Sequence, residues 1–151
     1  MPSVNGPTVT MLVLGLGCER NTAPEEVIEL AEQALVEAGL DRGDVDFVAS
    51  LDARAEEPAI HAAARHFSVP VRFFDAPTLE AETARLQNPS EMVFAHTGCH
   101  GVAEGAALAG AGPDAVLIVP RIRSARVTAA IAGPLAVTEG AGIKAKRAGT
   151  G

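Results

Sequence analysis

A thiol, a guanidinium and two glycines fall together where an apolar run gives way to a helix start: Gly15-Leu16-Gly17-Cys18-Glu19-Arg20-Asn21-Thr22-Ala23-Pro24-Glu25-Glu26. The chemistry this pattern suggests is anion binding. Gly15 and Gly17 carry no side chain where the unpaired N–H groups of a helix N-terminus point outward, so an anionic ligand can approach the main chain closely. Cys18 stands beside that N-terminus and near Arg20, and both favour the thiolate that a nucleophile needs. A small apolar residue filling a tight turn would give the same spelling. Thr22, with Glu25 three residues on and Pro24 in the first turn, has the pattern of a capped helix start.

A second small-residue turn also precedes a helix: Thr97-Gly98-Cys99-His100-Gly101-Val102-Ala103-Glu104. Glu104 is the best-placed candidate for a general acid or base, and equally a cap for its own helix. Arg20 and Arg121 suit ligand carboxylates, which guanidinium binds in bidentate fashion. His96, Cys99 and His100, taken with Cys18, are soft donors for a metal. Their H-x-x-C-H spacing matches no zinc or cobalt signature, so no metal site is expected. His61 and His66 point to different faces of one helix and read as surface or core histidines. If both turns lie at the C-terminal edge of one sheet, they face each other across the crevice where open α/β sheets bind ligands.

The elements that must position these residues alternate. Thr8 to Leu16 reads as a strand buried on both faces, and Ala23 to Ala38 as an amphipathic helix closed by Gly39. Val45–Ser50 and Val71–Phe74 read as strands, and Pro58–Phe67, Thr78–Leu86, Ser90–Ala95 and Val102–Ala111 as helices. Ala115–Val119 and Arg126–Ala132 read as a hairpin through Ile122–Ala125, making an antiparallel edge. The alternation implies βαβ units. The expected fold is a single-domain α/β three-layer sandwich over 8–132 with a mostly parallel mixed sheet. Residues 1–7 read as a loose N-terminus and 133–151 as a Gly/Ala/Lys-rich tail.

Composition narrows the function classes. The chain has 151 residues, net charge −7, two cysteines and five aromatic residues, all Phe. So few cysteines argue for a reducing compartment and against a disulfide framework. Leu12 to Cys18 is not preceded by a basic residue and is short, against an export signal; no run approaches the ~20 apolar residues of a membrane span. A cytoplasmic protein without membrane contact is expected. Residues 121–151 carry six basic side chains against Glu139, whereas residues 1–120 carry six Arg against eighteen acids. With no aromatic residues beside that basic segment, nucleic acid is a poor partner, and a small polyanion or simple solvation fits better. Arg20 stands where a dinucleotide fingerprint needs its third glycine, and no P-loop lysine follows, so no nucleotide cofactor is expected.

The run GLGCERNTAPEEV resembles the opening of the cobalamin biosynthesis family CobE, which is also the C-terminal domain of the CbiG proteins. The second turn, with its Gly, Val and Glu leading into an alanine-rich helix and then a strand closing on Val119-Pro120-Arg121, is similar to that family's second motif, which usually ends in lysine. The resemblance spans about residues 8 to 132. It implies a role in building the corrin ring, with a precorrin or other corrinoid intermediate as ligand, no cofactor, and other enzymes of the pathway as partners; the Ala/Gly-rich faces leave a homodimer open. Read from the two turns and the arginines, Gly15, Gly17, Cys18, Arg20, Thr22, Thr97, Gly98, Cys99, His100, Glu104 and Arg121 are the residues expected around that ligand; the resemblance itself does not rest on Cys99 or His100. Related CbiG proteins open the ring-A lactone of cobalt-precorrin-5A and release acetaldehyde, whereas stand-alone members resemble those of the aerobic route, where other enzymes remove the fragment. An accessory carrier is the first expectation, a lactone-opening hydrolase the second, and a generic small-molecule binding domain the third.

Overall fold

Alternation along the first strand decides the layering. In the computed structural model, which describes residues 10–135, β1 spans Val13–Cys18. Leu12, Leu14 and Leu16 join one buried cluster and Val13 another, as expected when successive side chains of a strand point to opposite faces. The first cluster is completed by α1 (Pro24–Ala38) and α2 (Pro58–Phe67), the second by α5 (Ala103–Ala111).

Gly15 and Gly17 continue the face of Val13. A Cβ on Gly15 would lie 2.0 Å from the Ala103 carbonyl oxygen and 2.8 Å from the Ala107 amide nitrogen. The missing side chain is what lets the backbone of α5 rest on β1. The expectation of an open glycine turn is therefore corrected: both glycines lie within β1, and at Gly15 a helix of the same chain fills the space allotted to a ligand.

In α1, Val27, Leu30, Ala31, Ala34 and Leu35 are buried, at the spacing of one helical face. The helix ends at Gly39, whose φ of 70° is left-handed. The cap at its start differs from expectation. Ala23 is the capping residue and makes no side-chain hydrogen bond, while the hydroxyl of buried Thr22 donates to the Glu19 carbonyl at 2.6 Å.

The sheet order is β3-β2-β1-β5-β4, with β2 at Phe47–Leu51, β3 at Val71–Phe74, β4 at Val116–Arg123 and β5 at Val127–Gly133. The first three strands are parallel; β5 is antiparallel to both β1 and β4. The expected hairpin forms, with β4 as the antiparallel-paired edge, and β5 inserts beside β1. From β3 at one edge the chain crosses to β4 at the other, through α3 (Ala76–Glu80), a 3₁₀ turn at Thr83–Arg85, α4 (Glu91–Thr97) and α5. This reversal of direction opens a crevice at the C-terminal ends of the strands.

The helix expected at Thr78–Leu86 is broken into α3 and the 3₁₀ turn. Ser90 caps α4 as expected, its hydroxyl accepting from the Val93 amide at 3.2 Å. The expected loose N-terminus and the tail beyond residue 135 lie outside the described residues. Among the described residues, no helix is long and apolar enough to cross a membrane.

Candidate functional site

The crevice is a cleft of about 400 Å³. Gly17 and Cys18, at the end of β1, form its floor, and the start of α5 closes its back. One wall is α4, which presents Met92, Val93, His96 and Thr97; the other is the β4–β5 hairpin, with Arg121, Arg123 and Arg126. Arg54, in a 3₁₀ turn after β2, completes the lining.

Glu104 ties these walls together. It is 2% exposed and lies in the first turn of α5. One carboxylate oxygen accepts from the Gln87 and Asn88 amides, both at 2.9 Å. The other accepts from the Asn88 side chain and the Arg121 amide, both at 2.8 Å. The last bond explains the sequence at 120 and 121. The ladder between β4 and β5 is irregular between Val119 and Ile122, where Pro120 has no N–H to give. The Arg121 amide turns to Glu104, and the bulge aims the Arg121 side chain at the cleft. Four donors occupy the carboxylate, so its geometry is that of a clamp holding the entry to α4 and the bulge of β4.

The hairpin tip is also tied down. The Ser124 hydroxyl donates to the Glu26 carboxylate, and the Arg126 amide donates to the same oxygen at 2.9 Å. These bonds, the Ser124 hydroxyl first, hold the Glu26 carboxyl below the usual carboxylate range. The Glu19 amide donates to the Arg126 carbonyl at 3.0 Å. None of the Arg121, Arg123 and Arg126 guanidiniums hydrogen-bonds or ion-pairs with another described residue. Four arginines line the cleft against two carboxylates, Glu19 and the fully engaged Glu104, in a chain whose net charge is −7. A locally positive recess in an acidic protein concentrates anions there.

Cys18 does not have the environment of an activated thiol. Burial first, and then the nearby Glu57 carboxylate, push it up to about 11. The arginine beside it is Arg54, whose Nε donates to the Cys18 carbonyl at 2.7 Å. Arg20 is exposed and outside the cleft lining. The chain turns at Asn21, with φ of 62°, toward α1 on the opposite face of the sheet from α5.

Of the residues singled out from the sequence, Gly17, Cys18, His96, Thr97, Glu104 and Arg121 meet at the cleft. Gly15 lies under α5, and Thr22 is buried beside the loop toward α1. Thr97 is the last residue of α4 and Gly98 its left-handed cap, so this turn closes one helix before the next begins. Cys99 is fully buried, with its sulfur 3.4 Å from the Thr97 hydroxyl. His100 is taken up by Glu80 at 2.8 Å and Glu91 at 3.2 Å, and stacks on Phe94. Of the four soft donors, Cys18 and His96 line the cleft, Cys99 is in the interior and His100 is half-buried in its bridge between Glu80 and Glu91. Arg54, Met92, Arg123 and Arg126 were not singled out from the sequence; the one available signal was the positive charge beginning at Arg121.

A model of the family described as "Cobalamin synthesis G C-terminus" matches residues 12–132. Protein CobE of a Sinorhizobium species is 72% identical over 123 residues, covering 82% of this chain and 80% of that protein. The cobalt-precorrin-5A hydrolase of Priestia megaterium is 27% identical over 122 residues, which are 81% of this chain and 32% of the hydrolase. The crystal structure of CobE, described as a protein of the cobalamin (vitamin B12) biosynthetic pathway, superposes with a TM-score of 0.78 at 33% identity, over 88% of this chain and 96% of that one. The chain belongs to the CobE and CbiG C-terminal family of cobalamin biosynthesis proteins.

Proposed function

We propose that the cleft binds a carboxylate-rich corrinoid intermediate and holds it for other enzymes of the pathway, without transforming it, in the cytoplasm where such rings are built. The observation that carries this reading is the contrast between the two walls. Three guanidiniums that make no hydrogen bond or ion pair among the described residues stand on the hairpin, opposite Met92 and Val93 on α4. An early corrin ring has an apolar skeleton and a rim of acetate and propionate groups. Its skeleton can lie against α4 while its rim meets the arginines, which pair with carboxylates in bidentate fashion.

The carrier reading is favoured over hydrolysis by the state of the candidate groups. Glu104 spends both carboxylate oxygens on four protein donors, whereas a general base must reach the proton it removes. Cys18 is held in the unreactive thiol form. The hydrolase reading keeps one supporting observation, the 27% identity to an enzyme of which this chain spans 32%. An anaerobic titration of the full chain with a panel of precorrin and cobalt-precorrin intermediates separates the two. The expected result is saturable binding with an unconverted ring spectrum. Conversion of the spectrum with release of acetaldehyde would replace the carrier by the hydrolase, and no binding of any intermediate would overturn both.

A further inference from the structure

We infer that α4 is a lid: it lifts and settles between Pro89 and Gly98 while the rest of the domain stays still, and His100 is the latch that holds it down. What the lid encloses rests on the corrinoid-binding reading; its motion does not.

The first observation is that α4 takes no part in the core. None of its residues is buried, so displacing it exposes no apolar interior, and segments with few buried contacts are those that open locally. The second is where the segment is fixed. Asn88 gives both its amide and its side chain to Glu104, and Cys99 is fully buried. Just inside these anchors lie Pro89, which has no amide to pin, and Gly98, whose left-handed φ of 84° gives a glycine the freedom to absorb a backbone rotation.

The third observation is that one residue holds what lies between. Among the described residues, the hydrogen bonds, ion pair and ring contact that join 90–96 to the rest of the domain all run to His100. Its carbonyl accepts from the Ser90 amide at 2.8 Å, its Nε2 meets the Glu91 carboxylate at 3.2 Å, and its ring stacks on Phe94 with centroids 4.4 Å apart. His100 is itself fastened to α3, since its amide and Nδ1 both meet Glu80 at 2.9 Å. The Glu91 side chain is 90% exposed, so water competes for its share of the latch.

The latch stands behind the wall it holds. Glu91 and Phe94 are outside the cleft lining, whereas Met92, Val93, His96 and Thr97 face it. Releasing the latch therefore moves the wall without altering a residue that meets the ligand. A carrier must enclose its ring in transit and give it up on arrival, and a wall tied only from behind serves both.

The test places nitroxide labels on Ala95→Cys, exposed on α4, and on Val36→Cys, exposed on α1. Cys99 is buried and Cys18 half-buried, so the two new thiols take the labels. Double electron–electron resonance on the full chain then measures the separation. The free chain should show two distances at least about 3 Å apart, twice the rise of a helical residue. Dicyanocobyrinic acid, a diamagnetic corrin with its carboxylic acids free, should collapse them to one, and a latch variant carrying Glu91→Gln and Phe94→Ala should enlarge the other. Stopped-flow release of the same corrin should be about two- to tenfold faster from that variant, the worth of an aromatic pair. One unchanged distance in the free chain, the bound chain and the variant would overturn the lid and leave corrinoid binding standing. A distance that shifts in the variant while dicyanocobyrinic acid fails to bind would keep the lid and overturn the binding reading. Circular dichroism checks the variant's fold, and the free and bound chains with the latch intact decide the question even if the variant unfolds.

Discussion

The two faces of the sheet are held by different kinds of contact. On the α1–α2 face burial is apolar and continuous, from Leu12, Leu14 and Leu16 through Leu30 and Leu35 to Ile60 and Phe67. On the other face α5 is buried along most of its length, but α4 contributes no buried residue. What fixes α4 is polar: Ser90 at its start, Glu104 on the loop before it, and His100 bridging Glu80 of α3 and Glu91 of α4. Apolar burial is non-directional and secures the scaffold. Hydrogen bonds are directional, and they set the separation of the two cleft walls.

Glu104→Ala is the strongest test of this contrast. It leaves the Gln87, Asn88 and Arg121 amides without their acceptor. At about 1–3 kcal/mol for each orphaned group, softened where water enters, the expected loss is about 4 kcal/mol by chemical denaturation. The matching change on the other face is Ile60→Ala, at a fully buried position, with an expected loss of about 3 kcal/mol. Hydrogen exchange tells them apart. The Glu104 variant should lose protection first in α4 and β4, and the Ile60 variant across the whole domain. Selective loosening of α4 by Ile60→Ala would break the comparison.

Gly15→Ala is the next largest. Its new Cβ would meet backbone atoms of Ala103 and Ala107, neither of which can turn aside as a side chain does. Overpacking should cost about 3 kcal/mol, and a shift of α5 would carry Glu104 with it. Denaturation together with a corrinoid titration checks both effects; full stability would mean that α5 does not depend on this close approach.

These residues also show where sequence reading succeeds. The bounds of α2 and β3 are legible to the residue because their signals are local: Pro58 opens the helix, apolar spacing sustains it, and Pro70 introduces the strand. Gly15 is misread because its reason lies some 90 residues away in α5. A glycine admitting another segment and a glycine admitting a ligand look alike along the chain. Arg54 replaces Arg20 beside Cys18 for the same reason: which arginine reaches the floor depends on the pairing of β2 with β1. Glu104 is singled out from the sequence and lines the cleft, but its four donors come from two separate segments, so its role as a clamp is invisible until they are assembled.

The His100 bridge sharpens the comparison through pH. The Glu80 hydrogen bond, foremost, raises His100 above its ordinary value of 6.5, and the same bond lowers Glu80 below its ordinary 4.5. His100 then contributes stability that is fully present below pH 6.5 and is lost as pH rises through its raised value. Glu80 contributes stability present above pH 4.5 and lost as pH falls through its lowered value. Protection of α4 amides should therefore be greatest between about pH 4.5 and 6.5 and should decline on both sides, while α1, whose Glu26 is likewise held low, should decline on the acid side alone. His100→Ala should flatten the α4 profile. A profile unchanged in that variant would place the fixing of α4 elsewhere.

Cys18 gives the smallest effect and bears most directly on chemistry. With its thiol pushed up to about 11, roughly one molecule in a thousand carries the thiolate at pH 8, against about a quarter for an unperturbed cysteine. Iodoacetamide should label the native protein slowly at pH 8, with Cys99 contributing nothing because it is fully buried, and both cysteines should react readily in denaturant. Removing Glu57, the second cause of the upward shift, by Glu57→Gln should speed labelling of Cys18 only modestly, since burial dominates; Glu57 also holds the Asn21 amide at 3.0 Å, so the variant's fold must be checked alongside. Rapid labelling of the unaltered protein at pH 8 would show that the floor of the cleft stabilises a thiolate, and would bring Cys18 back as a nucleophile facing the bound ring.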